Sequence, residues 1–244
     1  MSSKRTLVIG DIHSGLNALH QILDRAKVTT EDQLIFLGDY VDGWSQAVET
    51  VDFLIQLNRT NNCIFIRGNH DELCLDWLQT NADNPVWFQH GGEATLNSYK
   101  KASDVTIDTH ILFYQNLKNF VLDAKGRLFL HAGFTNLKGV DHEYFSKTFY
   151  WDRTLWELAI SLNPTMSKSD ARYPSRLKHY NEIFIGHTPL SKTGLVVPEN
   201  AANVWNLDTG AAFKGALTIM DIDTKEFWQS DPVHKLYPTE SGRH

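Results

Sequence analysis

The sequence predicts an α/β protein with a partly parallel sheet, and two observations support this prediction. Short apolar runs rich in β-branched and aromatic residues recur along the chain, which is typical of strands buried on both faces. Between the first three runs, apolar residues recur at helical spacing, so strands and helices alternate as in βαβ units. The 244 residues, 42% of them hydrophobic, suffice for one such domain with a sizeable core.

The predicted elements follow in chain order. Buried strands are expected at 6–9, 33–37, 63–66, 128–130 and 183–185. Apolar residues at helical spacing mark a first helix at 16–26 and a second at 48–57. Residues 75–125 are predicted to be mostly helical, with breaks at Asn84-Pro85 and Gly91-Gly92. Neighbouring strands are expected at 204–208, 216–222 and 226–229, the last two joined by a turn at 223–225.

Composition excludes several classes of protein. A net charge of −6 and a pI of about 6.0 argue against a nucleic-acid partner. No window approaches the roughly 20 apolar residues of a membrane helix, and the first ten residues lack the pattern of a signal peptide. We therefore expect a cytoplasmic protein without a membrane partner. No linker divides the chain, so we predict one domain at 1–231 and a polar tail at 232–244 with little to anchor it.

Polar clusters follow five of the predicted strands directly, at 10–13, 38–42, 67–71, 131–133 and 186–188. Ligands gather at the carboxyl ends of strands in open α/β sheets, so the clusters are expected to converge. One cluster alone is compatible with a turn or a helix cap, but repetition at five strand ends favours a site. The shared donors are carboxylate, imidazole and amide groups, namely Asp11, His13, Asp39, Asn69, His131 and His187.

This donor set lacks a thiolate and suits divalent ions such as Mn, Fe, Co, Ni or Zn. Six donors exceed what one tetrahedral ion takes. Two ions about 3.5–4 Å apart that share one carboxylate would use the whole set. The two cysteines, Cys63 and Cys74, fall on a predicted strand and helix and are interpreted as packing residues rather than nucleophiles.

The motifs Gly10-Asp-Ile-His13, Gly38-Asp-Tyr-Val-Asp42, Arg67-Gly-Asn-His-Asp71, His131-Ala-Gly133 and Gly186-His-Thr188 occur in the order of the calcineurin-like metallophosphoesterases. The chain most resembles the phosphoprotein phosphatase branch, particularly the small bacterial and bacteriophage lambda-type enzymes. Trp151-Asp-Arg153 and Asp208-Thr-Gly-Ala211 are also similar to that branch. The resemblance implies a four-layer α/β (α+β) fold, a β-sandwich of mixed sheets flanked by helices, with a dimetal site at the carboxyl ends of the strands.

The resemblance also implies roles for individual residues. Asp11, His13 and Asp39 would hold one metal ion. Asp39 would bridge to a second ion, held also by Asn69, His131 and His187. Mn is the expected metal, with Fe, Zn, Co or Ni as alternatives. His70 would be the general acid, oriented by Asp42, while Arg67 and Arg153 would bind the substrate phosphate and Asp208 would lie nearby.

The expected activity is metal-dependent hydrolysis of phosphomonoesters by direct attack of a metal-bridging hydroxide. A phosphorylated protein, as in serine/threonine phosphatases, or a small phosphoester would be the partner; the oligomeric state is not predicted. A symmetrical dinucleoside tetraphosphatase or another nucleotide phosphohydrolase is the main alternative. A catalytically weak phosphate-binding module is a further one.

Two departures from the family pattern bear on the substrate. Gly43-Trp44 stands where the family has Arg-Gly, so one phosphate-binding arginine is missing. Ser14 replaces the glycine that usually follows the first histidine. Trp44, Trp87 and Tyr99 are compatible with an aromatic wall for a base or phenyl ring, and equally with core positions.

Overall fold

The computed structural model describes residues 4–243; residues 1–3 and 244, the outer ends of the predicted domain and tail, lie outside the described residues. Within this range the strands β1–β10 are Thr6–Ile9, Gln33–Phe36, Asn62–Phe65, Phe120–Leu122, Arg127–Leu130, Glu182–Ile185, Glu199–Ala201, Val204–Asn206, Thr218–Asp221 and Phe227–Gln229. The α-helices α1–α10 are Leu16–Arg25, Ala47–Leu57, Asn69–Thr80, Pro85–Trp87, Glu93–Tyr99, Asp104–Gln115, Thr148–Trp151, Thr154–Ser161, Ser175–Lys178 and Val233–Leu236. A π-helical turn at Phe88–Gly92 and 3-10 turns at Val140–His142 and Leu190–Thr193 complete the regular structure.

The strands form two mixed sheets of five. The first has the order β10-β9-β1-β2-β3, in which β1, β2 and β3 are parallel and β9 and β10 are antiparallel to their neighbours. The second has the order β4-β5-β6-β8-β7, with β5, β6 and β8 parallel and antiparallel strands at both edges. Because parallel strands run in one direction, their carboxyl ends meet at one edge of each sheet.

The sheets pack face to face and carry helices on their outer faces. Successive side chains of a strand point to opposite sides, so Val8 faces the inner core while Leu7 and Ile9 belong to the core beneath the helices. Between the sheets, Phe129 stacks on Phe184 with ring centroids 5.0 Å apart. Helices α1 and α2 cover the first sheet and α8 the second. The predicted four-layer sandwich is confirmed.

The predicted helices at 16–26 and 48–57 are confirmed as α1 and α2, and residues 223–225 connect β9 to β10 as predicted. The expectation that 204–208 neighbours these two strands is wrong, because β8 belongs to the second sheet and β9 and β10 belong to the first. Strands β4 and β7 had no predicted counterpart. Each has three residues at a sheet edge, too few to show a periodic pattern. Among residues 4–243, the structure contains no helix with both the length and the apolar character needed to cross a bilayer.

The segment 232–243, expected to be a polar tail with little to anchor it, packs against the rest of the chain instead. Val233 is fully buried in α10. Tyr237 is also buried and stacks on Trp44 with ring centroids 5.2 Å apart. The expectation was wrong because two single apolar residues provide the anchor, and they give the segment no apolar pattern.

A buried ion pair holds the start of β2. The guanidinium of Arg5 donates to both carboxylate oxygens of Asp32, at 3.0 and 2.7 Å, and the Thr29 N–H donates at 2.8 Å. Only 1% of the Asp32 side chain is exposed. Burial by itself raises the pKa of Asp32, but these hydrogen bonds outweigh it and hold the pKa below its ordinary value. The ionised carboxylate therefore stabilises the folded state.

We predict that Asp32→Asn lowers the free energy of unfolding by about 1–3 kcal/mol at pH 7. Because the folded pKa is lowered, the contribution is complete above the unfolded pKa of about 3.9 and is lost as the pH falls through the folded pKa. Urea denaturation at pH 7 and at stepwise lower pH should show the gap to wild type closing below pH 4. Asp231→Asn, at an exposed ion pair with Arg25, serves as the control and should match wild type. A gap independent of pH would contradict the assignment.

Candidate active site

The loops that follow β1, β2, β3, β5 and β6 face one another at one end of the sandwich. They carry the six residues predicted as metal ligands, which we call the ligand cluster: Asp11, His13, Asp39, Asn69, His131 and His187. All six are buried. Two groups within this region each bring three ligand atoms within 4.8 Å of one another: His13, Asp39 and His70, and Asp39, His131 and His187.

The carboxylate of Asp39 belongs to both groups and lies between them. Its Oδ2 is 3.6 Å from Nε2 of His13 and 3.3 Å from Nε2 of His131. Its Oδ1 accepts a hydrogen bond from the backbone N–H of His70 at 3.0 Å. Asp39 is therefore placed to share its carboxylate between two adjacent ions.

Backbone carbonyls fix which ring nitrogen of two histidines carries the proton. The Nδ1–H of His131 donates to the carbonyl of Leu37 at 2.9 Å. The Nδ1–H of His13 donates to the carbonyls of Val41 and Asp42, at 3.1 and 3.0 Å. A carbonyl only accepts, so in the neutral rings the Nε2 lone pairs face the centre of the cluster. Such support is typical of metal-binding histidines.

The other candidate metal ligands, Asn69, His187 and Asp11, bring several hydrogen-bond acceptor atoms close together. Oδ1 of Asn69 lies 2.8 Å from Nδ1 of His187 and 3.2 Å from Nε2 of His131. Nε2 of His187 and Oδ1 of Asp11 are buried, and neither has a hydrogen-bond partner within residues 4–243. Buried polar atoms are nearly always satisfied, and converging lone pairs repel unless a positive charge lies between them. The donor set therefore fits divalent cations.

Burial and mutual charge set the ionisation of the cluster. Burial lowers the pKa of His13 and of His187 well below the ordinary value, so both rings are neutral and able to bind a metal. Burial also lowers the pKa of His131, but the carboxylates of Asp39 and Asp11 outweigh it and raise that pKa to about 9. The cluster consequently favours positive charge at its centre.

Backbone strain concentrates at the same loops. His13, Asp39, Asp42 and His187 have φ of +52°, +53°, +71° and +65°, a region that residues other than glycine seldom occupy. Ser14 has φ +64°, which explains why glycine is usual there. Such strain is tolerated where the surrounding structure enforces a functional geometry.

His70, which the sequence predicts to be the general acid, lies next to Asp42, the residue predicted to orient it. Nδ1 of His70 lies 2.5 Å from Oδ2 of Asp42, a fully buried carboxylate. Asp42 also accepts hydrogen bonds from the Trp87 indole N–H and the Thr95 hydroxyl, both at 2.6 Å. These two donors were not predicted, because they lie 45 and 53 residues from Asp42 and no local pattern identifies them.

Asp71 is a second supporting residue to which sequence reasoning gave no role. Its carboxylate accepts the backbone N–H groups of Asp39, Tyr40 and Gly68, at 2.9, 2.8 and 2.7 Å. It thereby joins the loop after β2 to the start of α3. Its place in the motif at 67–71 was the only available signal.

A cavity of about 210 Å³ opens above the ligand cluster and is lined in part by Asp39, His70 and His187. Arg153, for which the sequence predicts phosphate binding, lines this cavity. Arg67 instead donates to the carbonyl of Tyr114 at 3.0 Å and lines a neighbouring cleft. Its predicted contact with phosphate would require the guanidinium to turn away from that carbonyl.

Of the two interpretations of Trp44, Trp87 and Tyr99, an aromatic wall or core positions, the structure supports core positions. Trp44 and Tyr99 are buried core residues outside the described lining of the cavity, while Trp87 lines the cavity and is itself 1% exposed. The two cysteines are packing residues, as interpreted. Burial raises the pKa of Cys63 to about 12 and that of Cys74 well above its ordinary value, which disfavours thiolates.

Asp208 lies close to the ligand cluster, as expected from the resemblance. It is buried, and its Oδ1 accepts the N–H of Gly210 at 3.0 Å. Burial, with a further contribution from Asp39, raises the pKa of Asp208 to about 6. Burial and Asp208 together raise the pKa of Asp11. Asp208 thus adds to the negative charge beneath the cavity.

The structure is a sandwich flanked by helices, and buried carboxylates and imidazoles meet at its strand ends. This combination is typical of metal-binding phosphoester hydrolases. The chain belongs to the calcineurin-like phosphoesterase family, whose model matches residues 4–213. The matched range contains every residue that the sequence predicts for the site. The expected family and enzyme class are confirmed.

Two curated relatives and one solved structure illustrate the similarity. The chain is 27% identical to an asymmetrical bis(5'-nucleosyl)-tetraphosphatase, PrpE, of Anoxybacillus flavithermus, over 87% of this chain and 88% of that protein. It is 25% identical to serine/threonine-protein phosphatase 1 of Salmonella typhimurium, over 88% and 90%. A serine/threonine phosphatase structure from Saccharomyces cerevisiae matches with a TM-score of 0.63 at 13% identity, over 93% and 80%, and supports the fold.

We predict that Mn²⁺ stabilises the chelator-treated protein and that Asp39→Asn abolishes most of this effect. A ligand at 100 times its Kd adds about 2.7 kcal/mol to stability, and Asp39 belongs to both ligand groups. Differential scanning calorimetry with and without Mn²⁺ measures the shift, and elemental analysis counts the ions per chain. His142→Ala, at an exposed position, is the control and should respond like wild type. An equal response of the Asp39 variant would contradict the assignment.

Proposed function

We propose that this protein is a phosphomonoesterase that works with two divalent metal ions, Mn²⁺ foremost, and that phosphorylated serine and threonine side chains are its substrates. The observation that carries the proposal is the position of Asp39 between two ligand groups, directly beneath a cavity that also contains His70 and Arg153. At about 210 Å³, this cavity is smaller than the roughly 300–1,000 Å³ of pockets that enclose a whole drug-sized ligand. It suits a single phosphoryl group with the remainder of the substrate outside.

In this proposal Asp11, His13 and Asp39 hold one ion, and Asp39, with Asn69, His131 and His187, holds the other. When bound, the two ions supply a nucleophile from water near neutral pH and offset charge on the phosphoryl oxygens. The neutral state of His13 and His187 supports the assignment, because an unprotonated ring nitrogen can bind a metal. His131, whose pKa is raised to about 9, would have to release its Nε2 proton when the ion binds.

His70 donates a proton to the departing oxygen of the ester. Its Nδ1 is engaged by Asp42, so Nε2 is the nitrogen available to the cavity. Asp42 holds the ring at one angle through this contact. The Trp87 and Thr95 hydrogen bonds in turn keep the Asp42 carboxylate in place.

Arg153 binds the phosphoryl oxygens from the mouth of the cavity. Its Nη1 lies 3.5 Å from the carbonyl of His187, and a guanidinium in this place can form two parallel hydrogen bonds to a phosphate. Arg67 is proposed as a second phosphate ligand only after it leaves the carbonyl of Tyr114.

We predict that His70→Asn lowers kcat for an alkyl phosphate about 10²–10⁴-fold, the usual contribution of general acid catalysis. Asp42→Asn should lower it less, because the acid itself remains. Steady-state kinetics with Mn²⁺ and elemental analysis of both variants provide the measurement. Two ions per chain should be retained. Loss of an ion from His70→Asn would identify His70 as a metal ligand instead, since it lies within reach of His13 and Asp39.

A nucleotide phosphohydrolase is the second candidate. Three cationic side chains, Arg153, Lys192 and Arg243, line the cavity, and we call them the cationic rim. Several cations around one opening suit a polyphosphate, and one relative is named a tetraphosphatase. Its name specifies asymmetrical cleavage, whereas the alternative considered from the sequence was symmetrical.

A substrate panel separates these candidates. We expect Mn²⁺-dependent release of phosphate from p-nitrophenyl phosphate and from phosphoserine or phosphothreonine peptides, at higher kcat/KM than for diadenosine tetraphosphate. Product chromatography distinguishes symmetrical cleavage, which yields two ADP, from asymmetrical cleavage, which yields ATP and AMP. The His70→Asn chain is the control for contaminating phosphatase. Preference for the dinucleotide would support the second candidate, and metal binding without hydrolysis would indicate a phosphate-binding module.

A further inference from the structure

Arg243 reaches the cavity from a part of the chain outside the residues 4–213 that match the family model. We propose that Arg243 binds the substrate phosphate and supplies the positive charge that Gly43-Trp44 lacks at the position of the family's Arg-Gly. The inference rests on the proposed function, since it assigns a phosphoryl group to this cavity. It adds a phosphate-binding residue that no motif contains.

The surroundings of Arg243 direct its charge toward the opening. Its guanidinium carbon lies 5.4 Å from the centre of the Phe213 ring, and the Lys192 ammonium lies 5.8 Å from the same ring. Phe213 is half-buried and lines the cavity with both cations. The Nε of Arg243 is buried and has no hydrogen-bond partner in the part of the chain that the structure describes. A buried donor of this kind requires an acceptor, which a phosphoryl oxygen would provide.

Gly43 provides the space that the arginine stem occupies. A Cβ built on Gly43 would lie 3.5 Å from Cγ of Arg243, so a side chain at 43 would start against this stem. Gly43 also has φ +116°, which an L side chain rarely adopts. Residue 43 and the stem of Arg243 therefore lie side by side, at van der Waals distance.

Trp44, the other departure from the family pattern, packs against the segment that carries Arg243. Its indole N–H donates to the carbonyl of Ala211 at 2.8 Å, and its ring stacks on Tyr237. A Cβ on Gly242 would lie 2.8 Å from the Trp44 ring, so residue 242 passes directly over the indole. Gly43 and Trp44, the two residues that depart from the family's Arg-Gly, thus both contact the segment that carries Arg243.

Two further contacts fix the segment on either side of Gly242. The carboxylate of Glu240 accepts hydrogen bonds from the N–H and hydroxyl of Ser45, at 2.9 and 2.7 Å. The backbone N–H of Arg243 donates to the carbonyl of Ala212 at 2.8 Å. Because the last contact is made by the backbone, it is retained when the side chain of Arg243 is replaced.

The test compares Arg243→Gln with wild type in the Mn²⁺-loaded protein. Calorimetric titration with inorganic phosphate gives the Kd, and kinetics with p-nitrophenyl phosphate give KM and kcat. We expect the Kd for phosphate to rise about 10- to 100-fold, the usual effect of losing a charged hydrogen bond. KM should rise in parallel, and the ion count should stay at two. Arg243→Lys should lose less, because it retains the charge without the planar guanidinium.

Arg172→Gln is the matched control, since it removes an equal charge from a site whose guanidinium pairs with Asp170. Its phosphate Kd should equal that of wild type. Melting temperatures of all variants check that the segment stays docked.

The outcomes separate this inference from the proposed function. If Arg243→Gln binds phosphate within twofold of wild type while wild type hydrolyses esters, Arg243 is not a phosphate ligand and the proposed function stands. If wild type hydrolyses no ester yet its phosphate Kd depends on Arg243, the proposed function fails and the assignment of Arg243 stands. If the melting temperature shows that Arg243→Gln undocks the segment, the phosphate Kd of Arg243→Lys is the deciding measurement. A phosphate Kd equal to that of wild type, in either variant with a lowered melting temperature, would overturn the inference.

Discussion

The surrounding structure must compensate a concentration of negative charge beneath one cavity. This charge comes from the carboxylates of Asp11, Asp39 and Asp208. All three carboxylates are buried, and a buried charge is strongly unfavourable unless it is paired or hydrogen-bonded. Part of the compensation comes from the backbone, since the N–H of His187 donates to Asp11 and that of His70 donates to Asp39. The raised pKa of His131 shows that this compensation is incomplete. Positive charge is still required, and divalent cations would provide it.

Holding these groups together demands unusual backbone geometry. Positive φ at residues such as His13, Asp39 and His187 costs of the order of 1–3 kcal/mol each. Gly186 shows how closely the loops approach, because a Cβ there would come within 1.9 Å of Oδ1 of Asp11. The apolar core between the sheets is what can sustain this strain. The sandwich therefore stabilises loops that would not adopt these conformations alone.

The sequence was informative where an apolar run meets a polar cluster. Each predicted metal ligand, such as Asp39 or His131, directly follows a strand, so its position could be inferred from one-dimensional pattern and strand direction. The helices α1 and α2 could be predicted for the same reason, because their apolar spacing is local. Metal identity has no such signal, since the same donors suit several ions.

Contacts between distant residues could not be predicted in this way. Trp87 supports Asp42 through a single indole N–H, and composition or periodicity gives no indication of such a partner. Tyr237 and Trp44, whose stacking docks the segment 232–243, are equally remote in sequence. The missing arginine at 43 was visible from the sequence, whereas Arg243 became visible only when the chain was folded. A departure from a family motif therefore shows which side chain is missing at that position. It does not show which distant side chain the fold brings to the same place.

The site has an acidic floor, formed by the ligand cluster, and a basic opening, formed by the cationic rim. In the proposed function the floor carries out the reaction and the rim selects the substrate. The floor is built from strand-end motifs within the family's matched range, and in the proposed function it carries out the hydrolysis. Two members of the cationic rim, Lys192 and Arg243, lie outside those motifs, and both line the opening of the cavity, where Arg243 is proposed to bind the phosphate. A change at the rim can therefore alter the preferred substrate without disturbing the ligand cluster. Such a division fits the similarity of this chain, over most of its length, to relatives named as a tetraphosphatase and as a protein phosphatase.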